Sequence, residues 1–549
     1  MDRQLIVQYL RRWQVAQADA LAAQVESCSG ARLPDQLQLA LAAEKANMPV
    51  SPALAENREM VRTLMGNSSD LMERSLYIGT NQLPAALFCL DGMAERTQVM
   101  TILESVAVRT QGVTLPADGA GTLLTALEQM IPSVMVRGVS VLGQVLDALL
   151  MGDTVLFVDG LTSALVMPTD GPPGRQPDEP LTEPVVRGPK DGFTETLSDN
   201  IALIRRRLRD DRLRVERMTL GERSRTRVVI MYMMGIATPE LVQEVRCRVG
   251  RIQIDAILGT GYIEEMIEDD PFTIFPLLKV TERPDVVSAG LLEGKVGLII
   301  EGSPHVLLMP STLVAEMQSA EDYYHRWPIS SFMRSLRYVY LLIAFLGPAF
   351  YVAVTTFHHE LVPTNLLVTL IAAREGVPFP AVLEALMMEL TMEALREAGV
   401  RLPKVVGQAV SIVGALVIGE SAVAAGLVSP VMVIVVALTA ISSFIIPLYA
   451  MSLAVRLLRF VLVILAGTFG FFGIVVGLMA LFVHLVSLRS FGVPYLSPIV
   501  PPTAGDQRDV FVRVPWWAMR RRPQFMPAVD HRRSGTANRP KAPATGDGG

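Results

Sequence analysis

The chain has 549 residues, of which 50% are hydrophobic and 19% are charged, and its formal net charge is −5. This length exceeds that of one ordinary domain. The charged fraction lies below the roughly 25% of an average soluble chain, and the negative net charge argues against a nucleic-acid partner. Residues 405–488 contain only Glu420, Arg456 and Arg459 as Asp, Glu, Lys or Arg side chains. We therefore expect a soluble N-terminal half joined to a membrane half. The internal repeat predicts an α/β fold for the first, and the apolar stretches predict an α-helical multi-pass membrane domain for the second.

The first segment, residues 1–74, is rich in Ala, Leu and Gln at helical spacing and is predicted to be helical. Its start, MDRQLIVQYLRRWQ, lacks the apolar core and cleavage site of a signal peptide, so we expect the soluble half to stay in the cytosol. The chain has an odd number of cysteines, and they lie far apart in the sequence: Cys28, Cys89 and Cys247. This pattern predicts buried thiols instead of a disulfide framework.

An internal repeat follows. Residues 148–168 and 290–310 align without gaps at an offset of 142 residues and are identical at eight of 21 positions. Each copy predicts a helix that ends at Gly, followed by two strands joined by an acid–Gly turn. We predict two repeated α/β subdomains, at 75–170 and 215–330; chance similarity of two hairpins is the alternative.

A Pro- and Gly-rich linker and an Arg-rich helix separate the two copies and together span 171–214. Neither a helix nor a ladder tolerates so many prolines, which predicts a linker for the first part. In NIALIRRRLRDDRL, which begins at Asn200, apolar residues at helical spacing are set among arginines. This pattern predicts a surface helix with a solvated face of arginines.

Residues 331–490 are predicted to form a transmembrane domain with four to six crossings. The apolar stretches long enough to cross a bilayer are Leu336–Phe357, Val405–Val428, Val431–Tyr449 and Leu457–Leu488. The last of these contains four glycines and is either one tilted helix or a tight helical hairpin. Leu361–Ala372 is too short for a straight crossing and is either re-entrant or half of a broken helix.

Residues 491–549 form a basic tail that we expect on the cytosolic side, with a disordered end. Residues 506–541 carry eight Arg and one Lys against three Asp, and positive charge favours the inside. With both ends inside, the number of crossings is even. Four crossings place five basic residues outside, whereas six, counting Leu361–Ala372, place them inside: Arg396, Arg401, Lys404, Arg456 and Arg459.

Acidic residues interrupt the apolar stretch FPAVLEALMMELTMEALREAG, residues 379–399. At 100° per residue, one helical stripe contains Glu389, Glu393, Glu397 and Arg396, whereas Glu384 falls on the other side. Acids in hydrocarbon are costly, so the stripe faces water, a cavity or a partner. Either the helix lies at the membrane surface with solvated acids, or it lines an ion path where rings of acids favour cations.

Glu420 lies within the apolar stretch GALVIGESAVAAG. A buried carboxylate needs a partner or a proton. Glu420 is therefore a candidate for the ion path or for coupling; the alternative is a helix-end residue near the interface.

No pattern indicates catalysis, a cofactor or a metal site. The sequence has no G-x-x-x-x-G-K-[ST] motif and no H-x-x-x-H pair. We therefore expect a non-enzyme, with three hypotheses open: a ligand-gated cation channel subunit, a secondary transporter with broken helices, and a scaffold that recruits other proteins.

Three long stretches, residues 179–208, 281–304 and 383–404, together with the tail RVPWWAMRRRP, resemble the A subunits of the GerA-type spore germinant receptors. The resemblance covers nearly the whole chain after about residue 60. The stage V sporulation protein AF, a close relative of that family, is similar in the same pattern.

The resemblance implies a location in the inner membrane of the bacterial endospore, with the N-terminal domain and the tail on the cytosolic (core) side. It implies a ring-shaped homo-oligomer, a pentamer, which contacts membrane lipid. The implied protein partners are a transporter-like B subunit that binds the germinant and a C subunit that is a lipoprotein. The implied function is a nutrient-gated cation channel that triggers germination, or, for the AF type, an amplifier of ion release.

Overall fold

A computed structural model gives the fold. It describes residues 2–13, 16–27, 33–110, 125, 127, 131, 133, 135–171, 179–180, 182–402, 417–503, 505–535 and 538–540.

Four helices precede the first sheet: α1 (Arg3–Trp13), α2 (Ala16–Ser27), α3 (Asp35–Glu44) and α4 (Leu54–Leu64). Their apolar residues, such as Leu10 and Met60, share one core with Phe88 and Phe157 of the sheet. The helices therefore form a layer on the sheet instead of a separate unit.

The first sheet consists of β1 (Leu71–Ile78), β2 (Leu83–Leu90), β3 (Arg137–Val139), β4 (Thr154–Val158) and β5 (Ala164–Met167), with helices α5 (Arg96–Arg109) and α6 (Leu142–Met151). Its strand order is β1-β2-β4-β5-β3, and neighbouring strands are antiparallel. Every residue of β4 and β5 is buried, because α4 and α6 cover one face and α5 covers the other.

The second sheet consists of β6 (Leu213–Leu220), β7 (Thr226–Met233), β8 (Lys279–Thr281), β9 (Val296–Ile300) and β10 (Val306–Met309), with α7 (Leu197–Arg207), α8 (Pro239–Gly250), α9 (Thr260–Ile267) and α10 (Pro284–Leu292). Its order, β6-β7-β9-β10-β8, is that of the first sheet. Gly152 after α6 and Gly294 after α10 both adopt positive φ, 100° and 94°, where glycine avoids the Cβ penalty. That the two subdomains are copies of one unit stays a prediction.

The predicted solvated face of arginines on α7 is wrong at Arg205. Its side chain is 1% exposed, and its Nε lies 2.8 Å from the Asp70 carboxylate just before β1. Apolar residues of α7, including Ile201 and Ile204, pack into the core of the second sheet. The helix is therefore held between the two sheets, and helical periodicity alone does not reveal the second neighbour.

The prediction of buried thiols is wrong for Cys247. Cys89 is buried in the first sheet, whereas Cys247 on α8 is exposed. Burial raises the pKa of the Cys89 thiol to about 11. Cys28 lies outside the described residues.

The C-terminal half is helical: α11 (Leu313–Glu316), α12 (Trp327–Thr356), α13 (Thr364–Arg374), α14 (Ala381–Arg401), α15 (Pro430–Phe444) and α16 (Tyr449–Ser487). Within the described residues, two helices, α12 and α16, are long and apolar enough to cross a membrane. The first half of the predicted stretch Val405–Val428, residues 405–416, lies outside the described residues, whereas residues 417–424 are helical.

Helix α16 reverses direction at Gly470, where φ is 62° and ψ is −141°. A Cβ placed on Gly477 would lie 2.8 Å from Leu462 Cδ2. These residues are 15 positions apart, which corresponds to about 22 Å in a straight helix. Of the two predicted alternatives, the chain adopts the tight helical hairpin, with limbs 449–469 and 471–487.

After the hairpin the chain returns to the second subdomain. His484 Nε2 lies 3.1 Å from Thr273 Oγ1, and a short ribbon of β11 (Arg489–Ser490) and β12 (Val493–Pro494) follows. The tail then packs along this subdomain, where Val529 N–H donates to the carbonyl of Ile236 at 2.8 Å. The predicted disorder at the end of the tail, residues 541–549, falls outside the described residues.

Candidate functional site

Helix α14 presents two glutamates on its buried face. The buried positions are Ala381, Glu384, Ala385, Met388 and Glu389, and this spacing of three and four residues forms one helical stripe. The sequence therefore places carboxylates where an amphipathic helix normally places apolar side chains.

Glu389 forms a buried ion pair with Arg459 on the first limb of α16. The carboxylate Oε2 lies 2.9 Å from Arg459 Nη2, and the two side chains are 3% and 2% exposed. The other carboxylate oxygen, Oε1, and Arg459 Nε have no hydrogen-bond partner among the described residues. The pair is held by one short contact.

Glu393, one turn further along α14, contacts three arginines. Its oxygens lie 2.9 Å from Arg456 Nη1 and 2.9 Å from Arg396 Nη1, and Arg459 Nη2 lies 3.7 Å away. Together with Glu389 these residues form what we call the ion-pair cluster: Glu389, Glu393, Arg396, Arg456 and Arg459. Three guanidinium groups face two carboxylates, so the cluster has a formal charge of +1.

The cluster joins three helices. Arg396 of α14 donates to Ser443 Oγ of α15 at 3.2 Å, and its guanidinium lies over the Phe444 ring at 5.1 Å. Removing one partner from a buried pair leaves an uncompensated charge and costs about 3–5 kcal/mol. Arginine partners are therefore one physical reason why α14 tolerates its acids among apolar side chains.

The structure brings together three of the five predicted ion-path residues: Glu389, Glu393 and Arg396. Glu397 is exposed and pairs with the exposed Arg401 at 2.6 Å. Glu420 is also exposed, on the helical residues 417–424. The role of all five residues in an ion path stays a prediction.

Sequence reasoning missed Arg456 and Arg459 as partners of the acids. They are the two basic residues of a long apolar stretch and are separated by three positions, so they share one helical face. Charged residues within membrane segments usually pair with one another. This rule predicts that Arg456 and Arg459 pair with acids, but it does not specify which acids.

Glu384, which the helical wheel places on the other side of α14 from the predicted stripe, forms a second buried site. Its side chain is fully buried, and its Oε2 accepts hydrogen bonds from Ser429 N–H at 3.1 Å and from Ser429 Oγ at 2.9 Å. Ser429 caps the start of α15 by accepting from Met432 N–H. A carboxylate at a helix N-terminus is favoured by the helix dipole.

A third buried cluster connects the first turns of α12 to the soluble half and the tail. Arg334 is fully buried; its Nε lies 3.0 Å from Asp322, and its Nη1 lies 2.7 Å from Asp509. Tyr323 donates to the same Asp509 carboxylate at 2.8 Å. Burial raises the pKa of Asp509. Arg334 of α12 and Asp509 of the tail are therefore joined by a direct ion pair.

No three His, Cys, Asp or Glu side chains converge to hold a metal ion within the part of the chain that the structure describes. Polar groups in the helical half instead pair with one another. The chemistry of the site is electrostatic, because charged groups are held in apolar surroundings.

Comparisons with known proteins identify relatives along most of the chain. A sequence profile described as Bacillus/Clostridium GerA spore germination protein matches residues 59–525. The chain is 44% identical over 497 residues to spore germination protein KA of Bacillus subtilis, covering 90% of this chain and 91% of that protein. It is 43% identical over 480 residues to the uncharacterised membrane protein YfkQ of the same organism, covering 87% and 92%.

A solved structure is also similar, the N-terminal domain of the A subunit of the Bacillus megaterium spore germinant receptor GerK3. The identity is 31%, the TM-score is 0.38, and the match covers 47% of this chain and 95% of that domain. The profile match and the identities over most of each relative lead to one conclusion. The chain belongs to the GerA family of spore germination proteins.

Proposed function

We propose that this chain is the membrane-embedded A subunit of a spore germinant receptor and that its homo-oligomer, a pentamer, releases cations when nutrient is sensed. Membership of the family supports a role in germination. The proposal includes the B and C subunits as partners and the inner spore membrane as the location. The observation that supports cation conduction is the ion-pair cluster, because it places titratable groups between helices of the apolar half.

Six crossings are the topology that the contacts support. Ser429 at the start of α15 lies against Glu384 at the start of α14 and 3.4 Å from Tyr351 near the end of α12. These three helix ends therefore share one level. Among the described residues, the crossings of the proposed topology are α12, α14, α15 and the two limbs of α16, and the sequence-predicted stretch Val405–Val428 is the sixth.

This topology differs from the predicted six-crossing arrangement in one element. Helix α14 takes the place that Leu361–Ala372 occupied, and α13 has no buried residue, which suits a peripheral helix. Arg396, Arg456 and Arg459 then lie toward the side of the soluble half, in agreement with the positive-inside tendency.

The charge of the ion-pair cluster suggests a closed state. A net charge of +1 repels a cation, so Glu389 and Glu393 attract cations only after their arginines move away. A shift from mostly closed to mostly open requires about 5 kcal/mol of differential binding, which is close to the roughly 3–5 kcal/mol lost when one buried pair is broken. Germinant binding on a partner subunit would supply this energy.

The test is the double substitution Glu389→Gln with Glu393→Gln in sporulating cells. We expect altered onset or selectivity of cation release after nutrient addition, expressed per assembled receptor in spore membranes, because removal of both carboxylates leaves buried arginines unpaired and costs stability. Glu375→Gln is the control, because this exposed acid belongs neither to the ion-pair cluster nor to the predicted ion-path residues. Release with normal kinetics and selectivity in the double variant contradicts the proposed role of the cluster.

Conduction itself is tested by single-channel recording from the purified chain in planar bilayers. Discrete cation currents distinguish a channel from a scaffold that only recruits other proteins. Saturable solute uptake without such currents favours a transporter.

A further inference from the structure

A large cavity lies between the tail and the second subdomain. Its volume is about 1230 Å³, above the roughly 300–1,000 Å³ of ordinary ligand pockets. The tail supplies most of the wall, and the second subdomain supplies Glu293 and Lys295. This cavity is separate from the ion-pair cluster, none of whose residues lines it.

The charges around the cavity are predominantly positive. The basic lining residues are Lys295, Arg508, Arg520, Arg521, Arg532 and Arg533, against the acids Glu293, Asp506 and Asp509. Each acid is already engaged: Glu293 lies 3.3 Å from Arg533, Asp506 accepts the Gln524 N–H at 2.8 Å, and Asp509 binds Arg334. Even with the charge of Asp506 counted, six Lys and Arg side chains face three carboxylates, so the lining has an excess of positive charge.

Four of these arginines are exposed, and their side chains make no hydrogen bond or ion pair to any described residue: Arg508, Arg520, Arg521 and Arg532. A guanidinium presents a planar fork of donors that matches the oxygens of a phosphate or carboxylate. A group of arginines without carboxylate partners can therefore bind an anion from outside the chain.

Lys295 is the decisive residue because it is buried. Its side chain lines the cavity at 7% exposure, and no described residue accepts a hydrogen bond from its ammonium. The neighbouring charged groups are engaged elsewhere: Lys279 donates to the Ala315 carbonyl at 2.9 Å, and Glu316 accepts from Ser311. Burial lowers the pKa of Lys295, and a bound anion would offset this cost.

We propose that this cavity binds a phosphate-bearing polyanion, held by the Lys295 ammonium and by the arginines of the tail. Several arginines around one buried lysine suit a ligand of several negative charges better than a single carboxylate. The phosphate belongs either to a small soluble molecule or to a lipid headgroup. Because Asp509 lines the cavity and also binds Arg334 of α12, occupancy is linked to the first membrane helix.

The test is calorimetric titration of the full chain in neutral detergent micelles with inorganic tripolyphosphate at low salt. Two variants probe the site: Lys295→Met, and Arg520→Ala with Arg521→Ala. The second variant changes exposed side chains and so guards against misfolding of the first. The control is Arg223→Ala with Arg251→Ala, two exposed arginines that do not line the cavity.

We expect saturable binding that weakens with salt, a loss of affinity of about tenfold or more in both cavity variants, and wild-type affinity in the control. A parallel arm measures thermal stabilisation by nanodiscs of phosphatidylglycerol against nanodiscs of phosphatidylcholine. Cavity-dependent binding of tripolyphosphate alone assigns a soluble phosphate, and cavity-dependent stabilisation by phosphatidylglycerol alone assigns a headgroup. The proposal is overturned if neither probe depends on these residues, or if the control loses affinity equally.

Discussion

The helical hairpin of α16 depends on glycine, and we expect Gly473→Ala to be the most damaging substitution in it. A Cβ on Gly473 would lie 2.2 Å from the carbonyl oxygen of Leu465 and 2.8 Å from its carbonyl carbon. Cβ atoms essentially never approach other heavy atoms within 3.0 Å. Because the opposing atoms belong to the backbone, a rotamer change does not relieve the clash and the two limbs must separate.

The neighbouring glycines set the scale. A Cβ on Gly477 would meet only the side-chain ends of Leu462 and Leu465, at 2.8 and 2.9 Å, so overpacking of about 1–3 kcal/mol is partly offset by about 1 kcal/mol of helix propensity. Gly470→Ala adds backbone strain of about 1–3 kcal/mol, a contact with the movable His358 ring at 2.7 Å, and a contact with Phe357 Cβ at 3.0 Å that a shift of a few tenths of an ångström relieves. We therefore expect more than about 3 kcal/mol for Gly473→Ala, whose clash is with a backbone atom at 2.2 Å, and less for the other two.

Two measurements test this prediction: thermal unfolding reports the stability of each variant, and disulfide formation reports the distance between the two limbs. Thermal unfolding of each variant in micelles ranks the three substitutions, and Gly419→Ala is the control, because its Cβ would make an ordinary 3.5 Å contact with Val433. For geometry, Leu462→Cys with Gly477→Cys is oxidised in a chain without native cysteines. An intramolecular disulfide requires Cα atoms within about 7 Å, whereas a straight helix separates these positions by about 22 Å.

Two results refute this reasoning. If Gly473→Ala unfolds at the same temperature as Gly419→Ala, the limbs do not pack at the calculated distance. If the two cysteines form only intermolecular disulfides, the limbs do not face each other within one chain.

Three further predictions concern the soluble half and its buried charges. Asp70→Asn leaves Arg205 buried without its carboxylate partner. In denaturant titrations it should lower the free energy of unfolding by about 3–5 kcal/mol. The control Glu26→Gln, whose pair with Arg11 is exposed, should change this free energy by less than about 1 kcal/mol. Burial raises the pKa of Glu316 from 4.5 to about 7, so between these values the folded state holds a proton that the unfolded chain has lost, and stability should fall as pH rises. Glu316→Gln should flatten this part of the pH profile of the unfolding temperature, and the exposed Glu222→Gln should leave it unchanged. Gly294→Ala should lower the free energy of unfolding by about 1–2 kcal/mol, because φ is 94° at this position and a residue with a Cβ is strained there. Equal unfolding temperatures of this variant and the wild type would contradict the predicted backbone strain.

Several features of this protein follow from local sequence alone. The acid–Gly turns between apolar runs predicted the hairpins that became β4–β5 and β9–β10, because turn geometry and alternation depend on adjacent residues. The helix–Gly–strand pattern of the repeat predicted a mixed α/β half, and the long apolar stretches predicted a helical half. Helical spacing predicted that Glu389 and Glu393 lie on one side of α14.

Tertiary structure decided which groups meet and which are buried. Arg459 of α16 pairs with Glu389 of α14, and Arg205 of α7 pairs with Asp70, which lies just before β1. Periodicity specifies which side chains share a face, but the element that covers this face comes from a distant part of the chain. The reversal at Gly470 is of the same kind: several glycines allow a turn, and the packing of Gly473 against Leu465 selects where the chain makes it.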